Sequence, residues 1–487
     1  MKVFSTNNKF ILFISLILTI SCAIEEGNIY IPMTSNFTLE HSQSKINNKN
    51  YYTIPLKIGT PEEEYEVQVD TSSATTWVPS SHCENCVLAH RLYEDEDSRS
   101  SSPTNIHIEI EDEDGNVEGL QVSDNIKLGD YKLKQYGFVE VTKVADDFRD
   151  HYQGKLGLGY KNHHLKDEEF NFLEKLKKHN LIKKKIFSIN AINEKKGMLF
   201  IGDTPGREYN SYCNISDPDD LEVNDMYKES WICQLTHVGV FDREKGIFNK
   251  IKYYDELKNT KLVSFDSAYD YIAVPISEKE HIDKLLDKAQ LDCKERKKVE
   301  SSKSKDDPLR NRIRDEEITI TCKADMKEIE EKDLALSFIL QGYVYSLPLE
   351  LLFKEGADKD EVEMLVKYVD DEEAIWIFGY PFMNQFLMIF NMEDNHVGMK
   401  SIKKTELPIL DIMQQWLTWS EYNNNFFYKK IDITLIIIIS SILFASLIII
   451  VGFLVWRAFK KSELRKSQEM IKELKEVNEE NNNNIVY

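Results

Sequence analysis

Residues 51–83 read YYTIPLKIGTPEEEYEVQVDTSSATTWVPSSHC. Tyr52–Ile58 and Tyr65–Val69 alternate or run apolar as strands do, and the second of these runs ends on Asp70-Thr71-Ser72. Val78-Pro79 follows eight and nine residues after that Asp. A lone Asp beside Ser or Thr is a weak signal, because the same pair is ordinary turn chemistry. The pattern returns as LVSFDSAYDYIAVP at residues 262–275, where Val274-Pro275 again falls eight and nine residues after Asp266. Each copy is followed by an apolar run ending in Gly-Tyr, LGLGY at 156–160 and IWIFGY at 375–380. Two copies with matching flanks define a degenerate internal repeat: two related halves, each presenting one carboxylate at the end of a buried strand.

If the halves face each other, Asp70 and Asp266 meet in the cleft between them. Like charges held close cannot both ionise cheaply, so the pair is expected to share one proton and titrate as a unit. One carboxylate then acts as base toward a bridging water while its protonated partner polarises a carbonyl, which allows water to attack an amide directly. Activity of such a pair peaks at acidic pH.

The rest of the 487 residues bounds the setting. The chain is long enough for two lobes plus appendages, and 42% hydrophobic residues suffice for a core. Lys2 and Lys9 before the apolar run Phe10–Ile20, then Cys22-Ala23 and Glu25, form the layout of a secretory signal peptide, residues 1–23. Residues 24–50 are a short propeptide or N-terminal extension. Ile433–Trp456 carries no charge and is long enough to cross a bilayer core of about 30 Å. Arg457, Lys460, Lys461, Arg465 and Lys466 crowd its far side, giving a single-pass type I protein with a cytoplasmic tail at 457–487 and a stalk at 401–430.

A formal charge of −22 argues against a nucleic-acid partner. Six cysteines remain after Cys22, and an even number in an oxidising compartment suggests three disulfides between sequence neighbours: Cys83 with Cys86, Cys213 with Cys233, Cys293 with Cys322. A redox or metal role for Cys83-Glu-Asn-Cys86 stays open, although no second CxxC or nearby His pair supports zinc, and no metal or cofactor is expected. Asn36 and Asn214 lie in glycosylation sequons. Helical patterns are confined to Glu168–Lys178, Glu278–Ala289 and Asp358–Tyr368, and Cys293–Glu317 reads as a charged surface insertion.

Residues 51–83 resemble the N-terminal active-site segment of pepsin-like aspartic proteases. The resemblance continues through GKLGLGY at 154–160, IFSINAINEKKGMLFIGD at 186–203, Leu262–Pro275, Ile320–Leu352 and Ile375–Met399. It implies an all-β, two-lobed fold with a central cleft for an extended peptide, lobes at 51–222 and 223–400, and a monomer. It places Asp70 and Asp266 on the cleft floor, Thr71 and Ser267 as braces of the two loops, and Ile110, Trp77 and Tyr160 at the flap and cleft. In topology it implies a membrane-tethered endopeptidase similar to β-secretase.

Three departures bear on activity. The family carries Gly two residues after each catalytic Asp, where this chain has Ser72 and Ala268. Glycine there lets the backbone approach the carboxylates closely. The hairpin expected to cover the cleft reads IHIEIEDEDGNVEG at 106–119, with Ile110 where the family has Tyr. An active endopeptidase and a pseudoprotease that keeps the cleft as a peptide-binding groove are therefore both compatible with the sequence.

Overall fold

The computed structural model describes residues 28–411 apart from 36–51, 85, 87–90, 111–115, 145–153, 164–169, 194–195, 205–208, 210, 222, 224, 243–246, 254–260, 298–317, 357, 359, 370–374 and 402–409. The signal peptide, the span 433–456, the tail, Asn36 and nearly all of the stalk lie outside the described residues. Among the described residues no helix is long and apolar enough to cross a membrane.

Among the described residues strands dominate and collect into two sheets of thirteen and twelve strands. The first half of the chain builds the first sheet and the second half builds the second, with one crossover: Phe386–Asn391 and His396–Ser401, at the end of the segment read as the second lobe, return to the first sheet. There Met388–Asn391 pairs with Ile186–Ile189, and Phe390 stacks on Phe187 with 4.6 Å between ring centroids. Residues 29–35 of the segment read as a propeptide or extension are an inner strand of this sheet, hydrogen-bonded to Lys196–Ile201 and Tyr52–Thr53. Ile29, Ile31 and Met33 of that strand are buried in the core.

The internal repeat is reproduced in three dimensions. Glu63–Asp70 lies between an antiparallel neighbour, Tyr52–Ile58, and a parallel one, Lys155–Gly157. Lys261–Phe265 likewise lies between antiparallel Ile232–Asp242 and parallel Ile375–Phe378. Both carboxylate-bearing strands are thus inner strands, with neighbours that have β-branched or aromatic side chains on buried faces. This holds the Asp at each strand end in a backbone that cannot shift without disturbing two ladders.

The three cysteine pairs form as disulfides. Cys213 belongs to the first sheet and Cys233 to the second, so that bond ties the halves together. Cys293 and Cys322 face each other on the antiparallel strands Cys293–Lys297, which opens the charged insertion, and Ile318–Cys322, which follows it.

Two helical expectations match local structure: Phe172–Lys178 is a helix capped by Asn171, and Glu280–Ala289 is a helix with Ile282, Leu285, Leu286 and Ala289 buried. The third is corrected. Val362–Val369 is a strand in which Val362, Met364, Val366 and Tyr368 are buried in alternation. Over so short a run the same apolar residues fit periods of 2 and 3.6, and pairing with Ile318–Cys322, Ile272–Pro275 and Phe353–Glu355 decides for the strand.

Glu140 is a buried carboxyl that accepts a hydrogen bond from Ser80 Oγ at 2.6 Å. Burial holds it above the usual carboxylate range, although the Ser80 bond opposes this. A folded value above the unfolded one means that the folded chain binds more protons in the interval between them. The stabilisation is therefore fully present below the unfolded value and is lost as pH rises through the folded one. Glu140→Gln is expected to leave the melting temperature at pH 4 nearly unchanged and to raise it at pH 7, as measured by thermal melts at both pH values.

Candidate active site

Asp70 and Asp266 are 1% and 4% exposed, and the residues that follow them clasp each other across the two halves. Thr71 N donates to Ser267 Oγ at 3.1 Å, and Ser267 N donates to Thr71 Oγ1 at 3.0 Å. The hydroxyls then donate onward, Thr71 Oγ1 to Phe265 O at 2.8 Å and Ser267 Oγ to Val69 O at 2.5 Å. Each hydroxyl accepts from one half and donates back to it, so the four bonds are reciprocal. They fix the backbone on either side of each Asp, and the strand ends that carry the carboxylates meet at this point.

Ser72 and Ala268 do not turn the loop amides away. Ser72 N donates to Asp70 Oδ1 at 2.7 Å and Ala268 N to Asp266 Oδ1 at 2.8 Å. The side chain of Ser72 adds something that glycine would lack, a second donor to the same oxygen at 2.7 Å. With Ser73 N at 3.3 Å, Asp70 Oδ1 accepts from three donors.

Glycines hold the segments behind the loops. Asp70 stands opposite Gly157 in the parallel register, and a Cβ there would lie 2.5 Å from Ala74 C and 2.6 Å from Thr75 N. Continuing the register Phe265 with Phe378 by one residue sets Asp266 opposite Gly379, where a Cβ would lie 2.3 Å from Tyr271 O. The equivalent glycines are therefore 157 and 379, two residues away from the alignment that the Gly-Tyr endings suggest.

The flap and cleft residues fall in two places. Ile110 ends the strand Ser102–Ile110, opposite Val117, and is buried in one apolar cluster with Trp77, Val139, Val141 and Phe170. The hairpin tip at 111–115 lies outside the described residues. Tyr160 is directed elsewhere: its ring lies 5.2 Å from that of Trp231, and its hydroxyl donates to Asn395 Oδ1 at 3.0 Å. Of the two sequons, the described one places Asn214 at an exposed strand end. No group of three or more His, Cys, Asp or Glu among the described residues is arranged to hold a metal ion.

Two charged residues at the site escaped the sequence reading. Glu229, 2% exposed, accepts at Oε2 from Ser73 Oγ and Ala74 N, both at 2.7 Å, and at Oε1 from His163 N at 2.6 Å. It thus braces the turn that follows Asp70. Lys155 Nζ lies 3.4 Å from Asp70 Oδ2, with both side chains 1% exposed. The signal for Lys155 was a charged residue inside the apolar run GKLGLGY. Glu229 carried no local signal, because its partners are more than 60 residues away.

The family profile described as Eukaryotic aspartyl protease matches residues 51–402. Among curated relatives, plasmepsin IV of Plasmodium falciparum is 36% identical over 155 residues, 30% of this chain and 34% of the relative. Procardosin-A of Cynara cardunculus is 31% identical over 147 residues, 28% and 29% of the two chains. Vacuolar protease A of Neurospora crassa is 33% identical over 139 residues, 28% and 32% of the two. The matches span about a third of the length of these relatives.

Proposed function

We propose, from the premise that the chain belongs to the eukaryotic aspartyl protease family, that it is an endopeptidase in which Asp70 and Asp266 activate a shared water for attack on a peptide bond. The observation that carries this reading is the reciprocal clasp of Thr71 and Ser267, with a backbone N–H on each carboxylate. It supplies the preorganisation that a water-activating pair needs, despite Ser72 and Ala268. An attached peptide would lie between the lobes, read here as 51–222 and 223–400. Acidic conditions suit such a pair, and the direction of the Glu140 shift suits them too.

The three disulfides point to an oxidising compartment. With the signal peptide at 1–23, the span at 433–456 and Asn214 exposed for glycosylation, the protein is read as a type I membrane protease of the secretory or endolysosomal pathway or the cell surface, acting on luminal or membrane proteins. A second reading, a tethered receptor or scaffold that holds peptides without cutting them, draws on Ile110: an alkyl side chain cannot supply the hydroxyl that a Tyr would.

The test of the mechanism is cleavage in water enriched in oxygen-18 under single-turnover conditions. Direct attack puts one heavy oxygen in the new carboxylate and leaves no peptide bonded to the enzyme. A covalent peptide adduct on a Ser or Cys would contradict the assignment.

A further inference from the structure

The internal repeat shows what is unusual about Lys155. It lies two residues before Gly157 on the strand parallel to Glu63–Asp70, and the position two residues before Gly379 in the other half is Ile377. Side chains two apart on a strand share a face, so both positions lie beside their own half's carboxylate. One half fills that place with a buried alkyl group, and the other with a buried ammonium 3.4 Å from a carboxylate oxygen. A buried ammonium is costly unless paired, and an alkyl residue would have filled the space at no such cost. Gln68, directly opposite Lys155 in the register, has its side-chain oxygen buried without a hydrogen-bond partner.

Building on the peptidase reading, we propose that Lys155 is a positioning residue that divides the labour within the pair, fixing Asp70 as the water-activating carboxylate and leaving Asp266 to carry the proton delivered to the substrate carbonyl. Asp70 Oδ1 accepts from Ser72 N, Ser72 Oγ and Ser73 N while Oδ2 faces the ammonium. Asp266 Oδ1 accepts from Ala268 N. In the step itself, Asp70 takes a proton from water as the new C–O bond forms, and Asp266 gives its proton to the carbonyl oxygen. The ammonium gains and loses nothing.

A consequence follows for pH. A positive charge beside Asp70 partly cancels the repulsion that helps Asp266 keep its proton, so the working range is confined to more acidic values. Among the described residues, titratable groups packed around this corner include Glu229, against the turn after Asp70, and Tyr136, whose hydroxyl meets Thr76 Oγ1 at 2.9 Å. Thr76 Oγ1 in turn accepts from Gly157 N. Neither Glu229 nor Tyr136 changes in the variants below.

The experiment compares pH profiles of kcat/KM for the full-length protein with Lys155→Met and Lys155→Arg. The Met variant, of similar length and uncharged, is expected to move the basic limb upward by about one unit, a gain of about tenfold in kcat/KM on that limb. The Arg variant keeps the charge and keeps the limb. Superimposable profiles for wild type and Met, or an Arg limb that moves with Met, overturn the proposal. If the wild-type protein cleaves nothing, the peptidase reading fails by itself, and the charge pairing is read from unfolding. Asp70→Asn should then raise the unfolding constant by about 10²–10⁴ in the wild-type background and by less than about tenfold in Lys155→Met. Equal effects in both backgrounds overturn the proposal as well.

Discussion

Asp266→Asn is expected to lower kcat/KM by about 10²–10⁴ while leaving the protein folded. Asn cannot hold the transferable proton, so the carbonyl loses its acid and the pair loses the partner that makes it a unit. The backbone around residue 266 has no reason to move. Asp266 N donates to Phe378 O, and Ser267 keeps its clasp on Thr71 and Val69 whichever side chain stands at 266. Asn also matches the protonated carboxyl in size and charge, so the charge of the pair is left as it was. Unfolding by denaturant should therefore show a midpoint equal to or above that of the wild type. A cleavage rate within a few-fold of wild type would remove Asp266 from the chemistry.

Asp70→Asn should behave differently in the same unfolding experiment. Asp70 and Lys155 are each 1% exposed, and the neutral amide removes the carboxylate charge that stands 3.4 Å from the ammonium. Breaking a buried ion pair from one side costs about 3–5 kcal/mol, because the remaining charge keeps its desolvation penalty. That is a large share of the stability of an ordinary domain. The stability difference between Asp70→Asn and Asp266→Asn thus measures the asymmetry of the site independently of turnover. Equal midpoints for the two variants, measured at the same pH, would show that the Lys155 ammonium contributes no net stabilisation.

Much of the architecture could be read from the two Asp segments because each is a long, local pattern. An apolar strand, Asp with a hydroxyl residue, Val-Pro at fixed spacing and a glycine-bearing apolar run are all set by backbone requirements that act over short stretches. The cysteine pairs were legible for a related reason, since each joins neighbours along the chain. Val362–Val369 was misread because seven or eight residues cannot separate periods of 2 and 3.6, and neighbouring strands made the choice. Ile29–Ser35 was set apart from the fold because its sheet partner Lys196–Ile201 lies far along the chain.

The site was legible in its symmetrical part and hidden in its asymmetrical part. Thr71 and Ser267 stand at equivalent points of the repeat, and the structure brings them together. Ser72 and Ala268 raised the question of crowding, yet both loop amides reach their carboxylates. Lys155 and Glu229 break the symmetry. Their roles depend on which strand lies parallel to Glu63–Asp70 and which turn packs on residues 73–75, and that is information of the tertiary fold alone.

The most direct test of the central claim is to incubate the full-length protein with a mixed peptide library between pH 3 and 6 and to sequence the new termini. The expected result is cutting at internal peptide bonds by the wild-type protein, strongest toward the acidic end, with loss of those cuts in Asp266→Asn. Cuts that persist in Asp266→Asn at the wild-type rate, or a complete lack of cutting by well-folded wild-type protein across the whole range, would contradict it.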